Sequence, residues 1–247
     1  MTARPLRTLP EPAAASERRR TAELECGQDL ATRYATIAGL ELRPRPVDRV
    51  LRALDVVLVC LLLPPAAPVM ALAAIAIRLT TGSPVLYRGT RVGRAGSTFT
   101  MYKLRTLRPD AERRLGRLQD RELDLLTETE HTRVGRVLRA TQLDELPQLV
   151  NVLRGDMSIV GPRPIRPTFF EELSESIPQY WQRLVVRPGI TGFAQLRMTR
   201  EMSWSEKLAH DLEYIADRSV HLYARVMLET AWRLATRPLR RTGPEGA

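Results

Sequence analysis

Apolar and polar positions divide the chain into stretches of very different character. Residues 1–25 are rich in Pro, Ala, Arg and Glu and contain no apolar core of the length a signal peptide needs. Residues 1–45 read as a polar, partly disordered extension with a short helix near Asp29–Leu40, and their Arg18-Arg19-Arg20 cluster reads as solvated. From Val56 to Ile77 there follow 22 residues without a charge. At ~1.5 Å per residue a straight helix of that length crosses a bilayer core. Its centre reads Pro64-Pro65-Ala66-Ala67-Pro68. Proline removes a backbone donor and clashes with the preceding turn, so a straight helix is strained there. The flanks are basic on both sides: Arg43, Arg45, Arg49 and Arg52 before, Arg78, Arg88, Arg91 and Arg94 after. Positive flanks mark the cytoplasmic side. A helix-break-helix hairpin over residues 46–81, entering and leaving by one face, satisfies both flanks. A single full span satisfies one, and a buried core helix of a soluble protein is the third reading. Asp55 follows Arg52 by three positions, a spacing that lets the arginine neutralise a carboxylate at the membrane edge.

Beyond the apolar run the period changes. Ser83-Pro84 ends the helical pattern, Val85-Leu86-Tyr87 reads as a short strand, and Thr98–Thr106 as a second, with a glycine-containing turn between them. This is a small β-hairpin. Residues 107–130 are charged with scattered leucines and read as a solvated helix or loop. In Thr141–Gly155 the residues Leu143, Leu146, Leu149, Val150 and Leu153 recur at helical spacing. Thr141 and Asp144 match a capping pattern, Gly155 is a stop, and Pro147 makes the first turn irregular or delays it. On their own, Asp144 and Glu145 read as a helix cap. Val220–Leu234 is a last amphipathic helix, with Leu222, Val226, Met227 and Leu234 as apolar positions; it reads as packed in the core.

A chain of 247 residues holds one compact domain plus a membrane element or extension, and the net charge of +10 asks for an anionic partner. Aromatics at 5% are thin for base stacking, so nucleic acid is not the expected partner. The two cysteines, Cys26 and Cys60, do not form a disulfide framework, and three scattered histidines give no zinc spacing. Gly161-Pro-Arg-Pro164 and Arg187-Pro-Gly-Ile-Thr-Gly192 each join a φ-restricted proline to an arginine, which can hold a guanidinium for phosphate. Alone, such loops are usually turns.

The motifs in order are Arg52-Ala-Leu-Asp55, Pro68, Gly82-Ser-Pro-Val85, Arg91-Val-Gly93 and Tyr102-Lys-Leu-Arg-Thr106. Then come Leu143-Asp-Glu-Leu-Pro-Gln148, Asn151-Val-Leu-Arg-Gly-Asp-Met157, Val160-Gly-Pro-Arg-Pro164, Val186-Arg-Pro-Gly-Ile-Thr-Gly192, and finally Trp204, Asp211 and Tyr214. From about Val50 to Arg237 this series resembles the bacterial sugar transferase family of monotopic phosphoglycosyl transferases. The resemblance implies a mostly helical α+β fold: a re-entrant membrane helix (46–81), a cytosolic catalytic domain with a small β-hairpin (82–237) and a disordered tail (238–247). It implies transfer of a phosphosugar from a UDP-sugar to polyprenyl (undecaprenyl) phosphate, with UMP released and Mg2+ as cofactor. Asp144 is the implied nucleophile and Glu145 its metal or base partner, both at the metal. Arg139 and Arg163 are implied phosphate ligands, with Lys103 and Arg187 as further candidates; Asp156 is a candidate to position these arginines or to ligate metal. The implied location is the inner (plasma) membrane with the catalytic domain on the cytoplasmic face; a homodimer stays open.

The chain departs from the family at three places. Ala67-Pro68 stands where Ser-Pro is usual, Phe193 where Trp is frequent, and Met198-Thr199-Arg200 where a Gly-Arg pair is frequent, so the identity of the sugar stays open. Transfer of the sugar alone, with UDP released, is the alternative chemistry. A basic nucleic-acid-binding protein and an inactive membrane scaffold are the alternative classes.

Overall fold

The computed structural model describes residues 45–109, 111, 129–197, 199 and 202–236. The expectations for residues 1–44, for most of 107–130, for Arg200 and for the tail lie outside them. Eleven helices and strands concern the site, with three 3-10 turns between them.

Helix α1 (Pro46–Thr81) holds the apolar run. It begins with Pro46 in its first turn, where a missing donor costs nothing, and Asp48 accepts from the Arg45 N–H at 2.8 Å. The expected interruption at Ala67-Pro68 does not end it: Pro64, Pro65 and Pro68 all lie inside one helical element. Their missing donors leave the carbonyls of Cys60, Leu61 and Pro64 without ladder bonds, so the helix is weakest over those turns although it is not broken. Leu51, Asp55, Val59, Ala66, Ala73 and Ile77 are buried, a single stripe along its length. The rest of its apolar surface faces outward; Leu61, Leu72 and Leu79 are 67%, 69% and 80% exposed. It is the one helix among the described residues long and apolar enough to cross a membrane, and only 11% of its most apolar window is buried in the protein.

Strands β1 (Leu86–Val92) and β2 (Thr98–Leu104) form the expected antiparallel hairpin, with Leu86 opposite Leu104 and Val92 opposite Thr98. Helices α2 (Arg133–Thr141) and α3 (Gln148–Arg154) follow. Strand β3 (Ser158–Val160) pairs in parallel with β4 (Gly189–Thr191), a sheet that three-residue strands do not announce in sequence. Helix α4 (Pro167–Ser176) lies between them in the chain, and α5 (Phe193–Arg197), α6 (Trp204–Asp217) and α7 (Val220–Thr236) complete the domain.

The main core joins Leu51, Val59 and Ala66 of α1 to Leu149, Val152, Met157, Ile159, Phe193, Tyr214, Tyr223 and Val226. A second cluster joins Ala73 and Ile77 to Leu104 and Leu138. Both halves of α1 therefore pack on the same domain. Burial of a side chain such as Ile77 or Val59 contributes about 1.5–3 kcal/mol.

Polar bonds fix the same two ends. Arg52 donates to the carbonyls of Val152 (2.6 Å) and Leu153 (3.0 Å), capping the C-terminus of α3. Arg105, on the chain just past β2, donates to Thr81 O (3.0 Å), Thr81 Oγ1 (2.6 Å) and Gly82 O (2.9 Å), capping α1 itself. The expected Arg52–Asp55 pair is thus not made as a direct contact, and the Arg52 charge acts on Asp55 through space. Asp55 Oδ1 instead accepts from Ile159 N–H (2.8 Å), Tyr223 Oη (2.8 Å) and Ser158 Oγ (3.0 Å). Three neutral donors satisfy the buried carboxylate, which leaves the guanidinium for the negative end of α3.

The core assignment of α7 holds for one face only. Tyr223 and Val226 are buried, whereas Leu228 and Trp232 are 72% and 70% exposed and Leu234 is also exposed. The helix has more apolar positions than the domain has surface to cover them.

Asp55→Ala removes the shared acceptor of three buried donors. It is expected to cost about 3 kcal/mol and to lower the thermal unfolding midpoint in detergent, with Asp55→Asn intermediate. An alanine variant as stable as the parent would contradict this role.

Candidate active site

The dyad sits where two helices fail to join. Thr132 caps α2 by accepting from the Gly135 N–H at 2.8 Å. At the far end Gln142 adopts a left-handed conformation (φ 58°) that stops the helix and turns the chain into a 3-10 turn, Leu143–Glu145. Pro147 then precedes α3. Thr141 belongs to α2, and its hydroxyl donates to Val137 O at 2.8 Å, so the expected Thr141–Asp144 cap does not form. The back-bond to the carbonyl four residues earlier takes the hydroxyl instead. Leu143 and Leu146 enter separate apolar clusters on either side of the two acids.

Asp144 is 3% exposed. Burial pushes its carboxyl above the usual carboxylate range; the Glu145 charge acts the same way, and Lys103 and Arg139 partly offset both. Glu145 moves the other way. Burial acts to raise it, but the Lys103 ammonium, the Arg163 guanidinium and the Lys103 hydrogen bond outweigh this and hold it low. Lys103 Nζ lies 2.7 Å from Glu145 Oε1, and Arg163 Nη2 lies 3.6 Å from the same oxygen. Burial lowers the Lys103 pKa, Glu145 opposing. Two adjacent carboxylates whose environments separate them divide the labour of a site. Asp144 takes no side-chain hydrogen bond among the described residues, while Glu145 already faces two cations.

Each cation is positioned by a buried support. Asn151 Nδ2 donates to Thr100 O (2.7 Å) and its Oδ1 accepts from Tyr102 N–H (3.1 Å), binding α3 to the strand that carries Lys103. Arg183 donates to Arg163 O at 2.9 Å, pairs with Asp211 at 2.8 Å, and donates to Tyr180 Oη at 2.7 Å. The β3–β4 pairing brings the Gly161-Pro-Arg-Pro164 and Arg187-Pro-Gly189 segments together: Gly161 N–H donates to Thr191 O and Gly189 N–H to Pro162 O, both at 2.9 Å. A Cβ at Gly161 would strike the Arg187 carbonyl, so only glycine allows the approach.

The structure thus gathers Asp144, Glu145, Lys103 and Arg163, with exposed Arg139 in the last turn of α2 acting on both acids through space. It does not gather Arg187 or Asp156. Arg187 Nε donates to Gly155 O (2.8 Å), and Asp156 accepts from Asn151 Nδ2 (3.1 Å), both at the opposite end of α3. Sequence reasoning missed Arg183, Arg105 and Asn151. Asn151 and Arg105 stand within the quoted motifs, but burial of an arginine or asparagine has no sequence signature. Gln148, the last residue of Leu143–Gln148, is 2% exposed and its Nε2 has no partner among the described residues, an amide donor held beside the dyad turn.

Two neighbouring carboxylates are hard oxygen donors of the kind Mg2+ accepts, and Glu145 Oε2 is not used by Lys103 or Arg163. Among the described residues no group of three acidic, histidine or cysteine side chains is present, so a metal here would draw its remaining ligands from phosphate and water.

The chain is 42% identical over 213 residues to the UDP-glucose:undecaprenyl-phosphate glucose-1-phosphate transferase of Caulobacter vibrioides, covering 80% of this chain and 76% of that protein. It is 34% identical over 194 residues to the UDP-N-acetylgalactosamine-undecaprenyl-phosphate N-acetylgalactosaminephosphotransferase of Aeromonas hydrophila (76% of this chain, 44% of that one). A UDP-glucose:undecaprenyl-phosphate glucose-1-phosphate transferase of Escherichia coli is 38% identical over 195 residues (76% and 40%), so the chain spans less than half of the latter two proteins. The model of the family described as "Bacterial sugar transferase" matches residues 47–237. With that match over most of its length, the chain belongs to the bacterial sugar transferase family.

Proposed function

We propose that the protein moves a phosphosugar from a UDP-sugar to undecaprenyl phosphate through a covalent adduct on Asp144, at the cytoplasmic face of the inner membrane. The observation that carries this is the unequal dyad: a buried carboxylate with raised basicity and no side-chain partner, beside a second carboxylate already matched by Lys103 and Arg163.

The chemistry follows from that asymmetry. An Asp144 oxygen attacks the sugar-bearing phosphorus, the P–O bond to the uridylyl side breaks, and UMP leaves with the bridging oxygen. An oxygen of the lipid phosphate then attacks the same phosphorus, and the Asp144 carboxylate leaves unchanged. Lys103, Arg163 and Arg139 set positive charge around phosphoryl oxygens that would otherwise repel a carboxylate. Asp144 and Glu145 would hold Mg2+, which supplies further neutralisation of the diphosphate.

The arrangement of α1 supports a re-entrant membrane helix. A straight helix of 36 residues is ~54 Å long, and a span would place its ends on opposite sides. Here Arg52 near one end and Arg105 at the other tie it to one domain. Three prolines mid-helix are where it would bend. The acceptor's phosphate and the dyad would then meet at the headgroup level.

Asp144→Asn is expected to abolish the adduct and to lower turnover by about a thousandfold or more. Intact-mass measurement after rapid quench with UDP-sugar checks the first and release of UMP the second. UDP in place of UMP would refute the phosphosugar reading. The wild-type acid limb should report Asp144, since its carboxyl is raised and activity is lost as pH falls through that value. Lys103→Met removes a cation that holds Glu145 low and offsets the rise at Asp144, so both carboxyls protonate at higher pH and the acid limb of the kcat–pH profile moves up. An acid limb that stays in place would remove Lys103 from the electrostatics of the dyad.

A further inference from the structure

A second group of cations lies at the other end of α3, away from the dyad. The dyad precedes the N-terminus of this helix, and Arg52 and Arg187 donate to carbonyls at its C-terminus. Seven residues of α-helix separate the two places by ~10 Å. Arg52, Arg94, Arg187 and Arg218 line one cleft here with Asp48 and Asp55.

The charges do not balance. Asp48 is taken by Arg218, at 2.6 and 3.2 Å, and Asp55 Oδ1 by its three neutral donors. Arg187 spends Nε on Gly155 O, and among the described residues no further bond holds its two terminal nitrogens. Arg94, in the 3-10 turn between β1 and β2, makes no side-chain hydrogen bond or ion pair among the described residues, and only its charge reaches Asp48. The Arg187 guanidinium is made less basic by burial first and by the Arg52 and Arg94 charges next, with Asp55 and Asp48 opposing. Like charges crowded into a cleft with unspent donors need an anion, and planar guanidinium forks match the oxygens of a phosphate.

We propose that Arg94 and Arg187, backed by Arg52, form a phosphate-binding site distinct from the dyad. Its wall includes Asp48, Leu51, Arg52 and Asp55, the turns of α1 just before the uncharged run. On the membrane reading above, that is the depth of lipid headgroups. The phosphate belongs to a lipid headgroup or to a free phosphate, and the chemistry is the same.

The test uses the full chain carrying Asp144→Asn, so that no turnover intervenes. Inorganic phosphate is titrated by calorimetry in detergent at constant ionic strength. Separately, phosphatidylcholine nanodiscs with and without phosphatidic acid are compared by native mass spectrometry for retained lipid. Adding Arg94→Gln should weaken binding about tenfold, the loss of one charge-assisted contact, without lowering the thermal midpoint, because Arg94 makes no side-chain hydrogen bond or ion pair among the described residues. Arg163→Gln removes phosphate held at the dyad and should leave the Arg94-sensitive component of binding unchanged. Binding of inorganic phosphate identifies a free-anion site; retention of phosphatidic acid alone identifies a headgroup site; each supports the proposal. Absence of binding to both probes, or binding that falls with Arg163→Gln and not with Arg94→Gln, overturns it. The calorimetric arm does not need α1 to lie in a membrane and reads no activity, so its failure is distinct from failure of the transfer mechanism.

Discussion

Guanidinium bonds to helix-end carbonyls hold this molecule together. Arg52 reaches from the apolar helix to the last carbonyls of α3, and Arg105 reaches from the domain to the last carbonyls of the apolar helix. A helix C-terminus carries unpaired acceptors and partial negative charge, so an arginine there satisfies both at once. Because the two tethers lie near opposite ends of α1, the catalytic domain and the outward apolar surface of α1 become one body. The dyad's position relative to that surface follows from that joint.

The same economy recurs at the site. Lys103 is presented by a strand that Asn151 binds to α3, and Arg163 by a loop whose carbonyl Arg183 grips, itself held by Asp211. Neither cation relies on its own backbone alone for position. Pre-placed charge of this kind stabilises phosphoryl transfer because it needs no reorganisation when the reaction occurs.

Much of this was readable from residues. The apolar run and the hairpin strands declare themselves through period, whereas Asp144-Glu145 reads alone as a helix cap, and only the family resemblance gives that pair, Lys103, Arg139 and Arg163 a role. What the chain conceals is contact between distant segments. The parallel pairing of β3 with β4 involves three residues each, too few to show a period. Arg52 and Asp55 stand at a spacing that suits a mutual pair, and only the fold shows that each has better partners elsewhere. Thr141 and Asp144 likewise match a cap whose hydroxyl is spent within the preceding turn. Arg187 shares its Pro-Gly setting with Arg163, yet the strand pairing that aligns their loops sends the two side chains to opposite ends of α3.

The outward faces of α1 and α7 bear on how the molecule can be handled. Leu61, Leu72 and Leu79 on one and Leu228 and Trp232 on the other are uncovered in the folded chain. A solvent that keeps single copies dispersed must coat the apolar faces of two helices on one small body. An amphiphile that wets only the longer helix leaves the shorter one to find a neighbour, and the resulting association would report the choice of detergent and not a native oligomer.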